Sequence, residues 1–566
     1  MKQFIQDLIL NALKNLGIPQ VEFNVEEPPK GKLGDYATNV ALKASGLAGQ
    51  SPKQIAEKLV DALVGEKLFQ EVKLDGPGFI NFTLAHDTLA QGLVQVIEQR
   101  DKYGISNVGK GDKVLVEYFQ PNVAKPLHLG HLRTAIIGDS LFRILQFAGY
   151  KTESDTHIGD WGTQFGLLLY SYKLWGDDTT IERHPVEELN KLYVRINNEI
   201  KTNPELRTLG KGEFVKLEQG EKESRKIWKR FVEWSLPEFE KVYSLLGIRR
   251  HDHNWSEKFY EDKMPEIIEL LKSKDLLEDS QGAKIVNLEG DHLGTAIIIK
   301  SDGGSTYLLR DLAAFIFRKR KGFTRQLYVV DVRQEHTFRQ MFKILEKMGE
   351  YEMLSEKSAH ISYGFLSTDK GILSTRQGNR IGPVELVAET EKKVLAIIEV
   401  KNPNLPDKKE VARAVAVGAI KYFDLSHNRL SNIVFRWDEV LDFEGNSGPY
   451  LQYAHARIKS ILRKAGKTSK KADFKKLSAD EERRLMVRIA RFPEVLESAA
   501  TAYMPNYVAE YLFTLAVEFN QFYQNVRVLD EADDKLRLAR LALISGVALV
   551  LKNGLGLLGI EAPEEM

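Results

Sequence analysis

The 566-residue chain is 43% hydrophobic and 28% charged, too long for one core and typical of folded chains, so three or four packed domains are expected and wholesale disorder is excluded. It contains no cysteine, which removes disulfides, thiolate zinc sites and a cysteine nucleophile from consideration. With a formal net charge of only +1, any nucleic-acid binding must rest on local basic patches and not on the field of the whole molecule.

The opening stretch MKQFIQDLILNALKNLG interrupts its apolar residues with Gln6, Asp7, Asn11 and Lys14, unlike the core of a signal peptide. No apolar run reads as long enough to cross a bilayer, so a cytoplasmic protein without a membrane partner is expected. Phe4, Leu8, Ile9, Ala12, Leu13 and Leu16 fall on one helix face that Gly17 ends. A further helix opens with Ser51 as cap and Pro52 as its first residue, with Ile55, Leu59, Val60 and Leu63 inward. VKLDGPGFINFTL reads as a hairpin. By themselves these residues say only that a small domain packs here, with Phe79 fitting its core. The polar connector GISNVGKGDK closes this small α/β unit, set at residues 1–108.

The strand Val114–Val116 runs into a turn with two histidines and then a helix, in EYFQPNVAKPLHLGHLRTAIIGDSL. Leu132, Ile136, Ile137 and Leu141 at helical spacing start that helix near Gly130, so its free N–H groups lie beside His128, Leu129, Gly130 and His131. Such a terminus attracts anions, and two histidines one turn apart can both reach a phosphate chain. The arrangement suits a triphosphate in the crevice of an α/β sheet; simple capping accounts for an isolated H-x-x-H as well. THIGDWGTQFG, residues 156–166, reads as a site loop, and residues 182–248 as an inserted, charged helical subdomain.

Ala296–Ile299 is expected to return the chain to the sheet, Asp302-Gly303-Gly304 to turn, and Asp311 to begin a helix. Tyr307 and Asp311 lie four apart. With Glu117 and Asn122 beyond the first strand and Gln334 after LYVVDV, they can surround a cation, and a guanidinium's rigid fork of five donors needs such acceptors. A cap at Asp311 and a strand-end charge at Glu117 are the plainer alternative. Beyond residue 385 helical periodicity takes over, giving an all-α bundle. Nine basic residues from Arg457 to Lys476 stand against Asp473 alone, beside Tyr450 and Tyr453. They read either as a phosphate-binding strip next to stacking groups or as a solvated face.

The segment PNVAKPLHLGHLRTAIIGD resembles the HIGH signature of class I aminoacyl-tRNA synthetases, in the form carried by arginyl-tRNA synthetases. GDWG matches the same family, and GDYATN and GPGFINF resemble its N-terminal domain. QYAHAR, FNQFYQNVRVL and the ending LGIEAPEEM resemble its anticodon-binding bundle. The chain is thus identified as a member over essentially its whole length. The resemblance implies an α/β fold: a Rossmann-like class I catalytic domain (109–385) with the helical insertion, the N-terminal α/β domain (1–108) and a C-terminal all-α anticodon-binding bundle (386–566). It implies ATP-dependent, AMP-forming ligation of arginine to tRNA-Arg in protein biosynthesis. ATP enters as its Mg2+ complex, no resident metal is needed, and the enzyme acts as a monomer. It also implies that activation requires bound tRNA and that the 2′-hydroxyl is acylated first.

By the same resemblance His128, Leu129, Gly130 and His131 bind ATP, with Lys125, His128, His131, Ser374 and Arg376 catalytic. Glu117, Asn122, Tyr307, Asp311 and Gln334 bind arginine. Phe79 and Asn81 meet the tRNA D-loop, and Tyr450, Tyr453, Arg457 and Met566 surround the anticodon. One departure stands out. Where the class carries a KMSKS-like loop this chain has GILSTRQGN, with Ile372 and Thr375 in place of the two lysines and Ser374, Arg376 and Gly378 retained. Lys125 falls where the family places a compensating lysine, since the reaction needs positive charge near the β- and γ-phosphates and not any one donor of it. Another class I synthetase would share the HIGH turn without the arginine set, and a silent tRNA-binding paralogue would bind tRNA without releasing pyrophosphate.

Overall fold

The computed structural model describes residues 1–29, 34–349, 351–368, 382–466 and 472–566. The first unit contains α1 (Lys2–Asn15), β1 (Val25–Glu26), β2 (Tyr36–Thr38), α2 (Val40–Ala48), α3 (Pro52–Leu63), β3 (Phe69–Asp75), β4 (Phe79–Leu84) and α4 (His86–Gln99). Its sheet is antiparallel in the order β1-β2-β4-β3. Ser51 caps α3 in a capping box with Gln54, as expected from the cap and the following proline. The buried stripe of α1 is Ile5, Ile9, Ala12 and Leu13. Phe4 is 66% exposed, a correction to the predicted face: Ile5 and not Phe4 repeats in phase with Ile9 and Ala12. Along β4, Ile80, Phe82 and Leu84 enter the core, which leaves Phe79, Asn81 and Thr83 on the opposite face. Phe79 is therefore not core.

The central region runs β5 (Lys113–Glu117), α5 (Leu129–Phe147), β6 (Lys151–Asp155) and α6 (Thr163–Trp175). The insertion follows as α7 (Asp178–Arg183), α8 (Pro185–Thr202), α9 (Glu205–Glu218) and α10 (Lys222–Leu246). Then come α11 (Met264–Ser273), β7 (Glu278–Ser280), β8 (Ala283–Leu288), β9 (Gly294–Ile299), α12 (Tyr307–Arg320), β10 (Arg325–Tyr328), α13 (Glu335–Lys347), α14 (Glu352–Lys357), β11 (Ala359–His360) and β12 (Leu366–Thr368). The sheet β11-β10-β5-β6 is parallel throughout. The chain leaves β5 toward β6 and later returns on the other side as β10, so a crevice opens at the carboxyl ends of β5 and β10. The strand predicted at Ala296–Ile299 is present as β9, but in a separate antiparallel sheet β7-β8-β9. Its alternation leaves Ile297 48% exposed, and one wet face suits an antiparallel sheet and not the buried parallel one.

The remainder is α15 (Pro383–Lys401), α16 (Lys408–Leu425), β13 (Ile433–Phe435), α17 (Trp437–Val440), α18 (Gly448–Ala465), α19 (Asp480–Ala490), α20 (Phe492–Ala502), α21 (Asn506–Asn525) and α22 (Asp534–Leu557). It is helical except for β13, which pairs with β12. Contrary to the sequence reading, α22 has the length and mean hydropathy (1.5) of a membrane span, yet 72% of its apolar window is buried within the protein. Its apolarity is used as bundle core. Two contacts fix α5 under the crevice. Gly138 packs so closely on Tyr118 that a Cβ would lie 2.2 Å from its ring, and buried Arg133 binds Asp424 of α16 at 3.0 Å and the carbonyl of Gly364 at 2.6 Å.

Candidate functional site

His128 is the N-cap of α5. Its Nδ1 accepts from the Gly130 N–H at 3.1 Å, and its own N–H donates to Nδ1 of His131 at 3.1 Å. Both histidines cap, and in doing so they take up the Gly130 N–H and order the N-terminus of a 19-residue helix, with the positive end of its dipole, at the mouth of β5. Shielding from solvent, helped by His128 and Lys125, holds His131 well below the ordinary histidine range, so it is a neutral donor through Nε2. Tyr363 donates to the carbonyl of Gly130 at 3.3 Å from behind.

Lys125 follows Ala124, whose left-handed backbone (φ 61) redirects the chain and whose N–H is held by Ser235 of α10 at 2.9 Å. The ammonium is bound by Gln164 Oε1 at 2.6 Å. Burial lowers its pKa, opposed by Glu257. The helical insertion thereby gains a legible role, since α10 braces the turn that carries Lys125. Ser374 and Arg376 lie outside the described residues, as do Lys467, Lys470 and Lys471 of the basic run.

Of the expected arginine set, Glu117 ends β5 and is buried, but its carboxylate is engaged within the chain. Arg318 Nη2 of α12 lies 2.5 Å from Glu117 and 2.6 Å from Asp155, and Gln120 donates to the other Glu117 oxygen at 3.3 Å. Glu117, Asp155 and His157 lie close enough to share a metal ion, yet the cation they surround is this guanidinium. Asn122 is bridged to Gly159 of the GDWG loop. Tyr307 is the first residue of α12, capped by Thr306. Asp311 therefore sits in the second turn and does not begin the helix, a correction that places both residues on one helical face. Gln334 is exposed on a 3-10 turn after β10, and among the described residues no hydrogen bond or ion pair joins it to the other four.

A carboxylate not anticipated from the sequence completes this side. Glu257 is buried, with its nearest cation Arg310 Nε at 3.8 Å and no hydrogen bond to Oε2. Burial, together with Asp160 and Asp311, pushes it up to about 8, and burial with Glu117 pushes Asp311 up to about 7. Among the described residues these two acceptors lack strong partners, and beside a phosphate-attracting turn they are suited to a cation with several donors. Glu257 lies on a 3-10 segment positioned by the bond from His253 N–H to Ser154 O at 2.9 Å, a long-range contact that leaves no periodic signal in sequence. Arg310, the cation facing Glu257, also lines a cavity of about 440 Å3 bounded by α9, the start of α6 and the β9–α12 turn, with Gln164 and Tyr307 in its wall.

In the C-terminal bundle, Tyr450, Tyr453, Arg457 and Met566 converge on one cavity of about 540 Å3. Tyr453, Arg457 and Met566 also line an adjoining one of about 460 Å3. Arg457 donates to Asn520 at 3.1 Å and stacks over Tyr453 and Tyr523 at 4.7 and 5.5 Å, while Asn520 donates to Tyr450 at 2.7 Å. Asn520 and Tyr523 were missed by the sequence reading, although FNQFYQ places both on one helix. The basic run is partly neutralised: Lys459 and Arg463 pair with Glu564 and Glu565, and Lys475 and Lys476 with Asp87 and Asp533. In the first unit Phe79 is 42% exposed and Asn81 8%, on the same face of β4.

Residues 92–437 match the family model for tRNA synthetases class I (R), catalytic domain. Residues 451–566 match the DALR anticodon binding domain, and residues 3–84 the arginyl tRNA synthetase N terminal domain. Curated relatives include arginine–tRNA ligases of Halothermothrix orenii, 39% identical over 100% of this chain and 99% of that one, and of Lactococcus lactis subsp. lactis, 41% identical over 100% of both. Among solved structures, Thermus thermophilus arginyl-tRNA synthetase superposes with a TM-score of 0.84 at 28% identity, covering 100% of both chains. The Plasmodium falciparum enzyme does so with 0.85 at 26% identity, over 100% of this chain and 99% of that one.

Proposed function

The chain belongs to the class I arginyl-tRNA synthetases, and from that premise we propose how its own residues divide the labour of ligating arginine to tRNA-Arg. The activity is arginine–tRNA ligation. ATP and arginine give arginyl-adenylate and pyrophosphate, and the arginyl group passes to the 3′-terminal adenosine of tRNA-Arg with release of AMP.

ATP, as its Mg2+ complex, lies along the turn His128–His131. The positive end of the α5 dipole, the Nε2–H of His131 and Lys125 stabilise charge on the phosphates. The arginine carboxylate, already ionised at neutral pH, attacks the α-phosphate, the α–β bridging bond breaks, and no general base is required. Glu257 and Asp311 receive the guanidinium, with Tyr307 and Asn122 at its sides. Glu117 acts through Arg318, keeping Asp155 and the end of β5 in place. Gln334 remains in the proposed set as a residue that must swing inward to serve. Ser374 and Arg376 supply what the degenerate loop can give to the leaving pyrophosphate. The observation that carries this reading is the juxtaposition of an anion-attracting helix terminus and Lys125 with two weakly partnered carboxylates, Glu257 buried and Asp311 half-buried.

In the same reading Phe79 and Asn81 meet the D-loop, and Tyr450, Tyr453, Arg457 and Met566 hold anticodon bases. The domain division is 1–108, 109–385 and 386–566, with the β12–β13 pairing tying the last two together. The enzyme works as a cytoplasmic monomer. The test is ATP–pyrophosphate exchange with arginine, with and without tRNA-Arg, on wild type and Lys125→Ala. Exchange that appears with tRNA and collapses in the variant supports the assignment. Unaltered exchange in Lys125→Ala removes that residue from the leaving-group side.

A further inference from the structure

The helix that carries the histidine turn is anchored at its middle to the segment leading into the anticodon cavity. Lys421 of α16 is 1% exposed and donates to the carbonyl of Gly559 at 2.5 Å. Asp139 of α5 faces the same point: a Cβ on Gly559 (φ +68) would lie 2.9 Å from Asp139 Oδ2 and 2.9 Å from Lys421 Nζ. One residue further along α5, Ser140 donates to the carbonyl of Leu557 at 3.1 Å. The last carbonyl of α22, which would otherwise lack a partner, is thus satisfied from α5, and the carbonyl two residues beyond the helix from α16.

Beyond Gly559 the chain is held at nearly every second residue. Gln452 donates to the carbonyl of Glu561 at 2.8 Å, the His455 ring meets that of Pro563 at 2.9 Å, and Asn402 donates to that of Met566 at 3.1 Å. Met566 then forms a wall of both cavities in the bundle. A buried ammonium is a costly way to fill this spot. Burial, helped by Arg143, lowers Lys421 to about 8, opposed chiefly by Asp139, whose carboxylate is bound by Arg143 at 2.9 Å. Apolar packing would hold two helices together without such a group, whereas a cation that must meet one carbonyl, in the field of Asp139, fixes one register between them.

We infer that Leu557–Met566 is a strap that transmits occupancy of the anticodon cavity to helix α5 and its histidine turn, with Lys421 and Ser140 as the positioning residues that anchor it. A ligand that displaces Met566 shifts the strap, and the strap's anchors on α5 convert that shift into a change at the phosphate-binding end. The inference rests on the reading of the Tyr450–Arg457–Met566 cavity as the anticodon site.

The experiment is steady-state aminoacylation by the full chain, with cognate tRNA-Arg and with a transcript altered only in the anticodon. It is run on wild type, Ser140→Ala, Lys421→Met and Arg457→Ala, with tRNA Kd measured separately. The expected result is that wild type penalises the altered anticodon in kcat. Ser140→Ala and Lys421→Met should shrink that kcat ratio, on the order of tenfold, while leaving the Kd for cognate tRNA unchanged. Ser140→Ala deletes only a hydroxyl, so it decides the matter if Lys421→Met fails to fold. If Arg457→Ala alters discrimination and both anchor variants retain the full kcat ratio, the strap is overturned. If Arg457→Ala also leaves discrimination intact, the cavity reading fails and the strap falls with it.

Discussion

The main-chain N–H of His128 donates to Nδ1 of His131 at 3.1 Å, and the two rings lie 3.9 Å apart. One bond therefore fixes the entry to α5 and the tautomer of His131 together, because an acceptor at Nδ1 puts the ring proton on Nε2. Replacing His131 by Phe keeps a ring against His128 and removes both the acceptor and the donor. The expected loss is about 10²-fold in the kcat of ATP–pyrophosphate exchange. Stability should fall by only about 1 kcal/mol, the usual worth of a cap. A thermal melt beside the exchange assay checks this: a large drop in Tm with little change in kcat would reduce the pair to a cap.

Arginine binding should release protons. Glu257 at about 8 and Asp311 at about 7 are largely protonated at pH 6, and a bound guanidinium favours their ionised forms. Affinity should therefore rise from pH 6 to pH 8, approaching roughly tenfold per pH unit for each carboxyl still protonated. The stability of the ligand-free protein has the opposite slope. Both groups are raised above their unfolded values of about 4, so the stability they contribute is complete below that pH and is lost as pH rises through 7 and 8. Calorimetric titration of arginine in buffers of different ionisation heat reads the protons directly, and Glu257→Gln should remove the upper part of the dependence. An arginine Kd that is flat between pH 6 and 8.5 would exclude both carboxyls from the site.

The histidine turn was legible because its information is local: a strand, a glycine and a helical stripe lie within thirty residues of each other. The cap at Ser51 and the hairpin at Gly76 to Gly78 were readable for the same reason. Glu257 was not, because what makes it a candidate is its place facing Arg310 and in the field of Asp311, set by strand-like pairing of His253 with Asp155. The fate of Glu117 was equally hidden: its partner Arg318 lies 201 positions later, in a helix whose sequence shows only another basic residue. At β9 the residue pattern gave the strand but not its sheet, since a run such as AIII fits a parallel core and a half-wet antiparallel sheet alike. The left-handed turn at Ala124 (φ 61) carries no glycine to announce it.

Gly159 should prove a sensitive position for arginine recognition. A Cβ there would come within 2.4 Å of Asn122 Oδ1, while the main chain of Gly159 is bound on both sides, to Pro121 O at 3.0 Å and from Val123 N at 2.9 Å. The loop cannot retreat, so Asn122 must. Gly159→Ala is expected to raise the KM for arginine by about tenfold or more, at a stability cost of about 1–3 kcal/mol for overpacking. Gly212 of α9 is the contrast, with open space around its added Cβ. Gly212→Ala should be neutral to stabilising by about 0.5–1 kcal/mol and leave KM alone. An unchanged arginine KM in Gly159→Ala would take Asn122 out of the pocket.

Phe79 and Ile80 are neighbours with opposite expected phenotypes. Ile80 is fully buried and Phe79 is 42% exposed, because successive residues of β4 face opposite sides of the sheet. Ile80→Ala should cost about 2–5 kcal/mol of stability and disturb binding only through unfolding. Phe79→Ala removes little from the core, so its Tm should stay near that of wild type. Stacking of one base on an aromatic ring is worth about 1–3 kcal/mol, which converts to a rise in the KM for tRNA of roughly 5- to 150-fold, with the KM values for arginine and ATP unchanged. The same substitution should not alter how strongly the enzyme rejects a changed anticodon, since the two contacts lie on different domains. A Phe79→Ala enzyme with wild-type KM for tRNA would mark Phe79 as an ordinary exposed aromatic, and the outer face of β4 would then have no assigned partner.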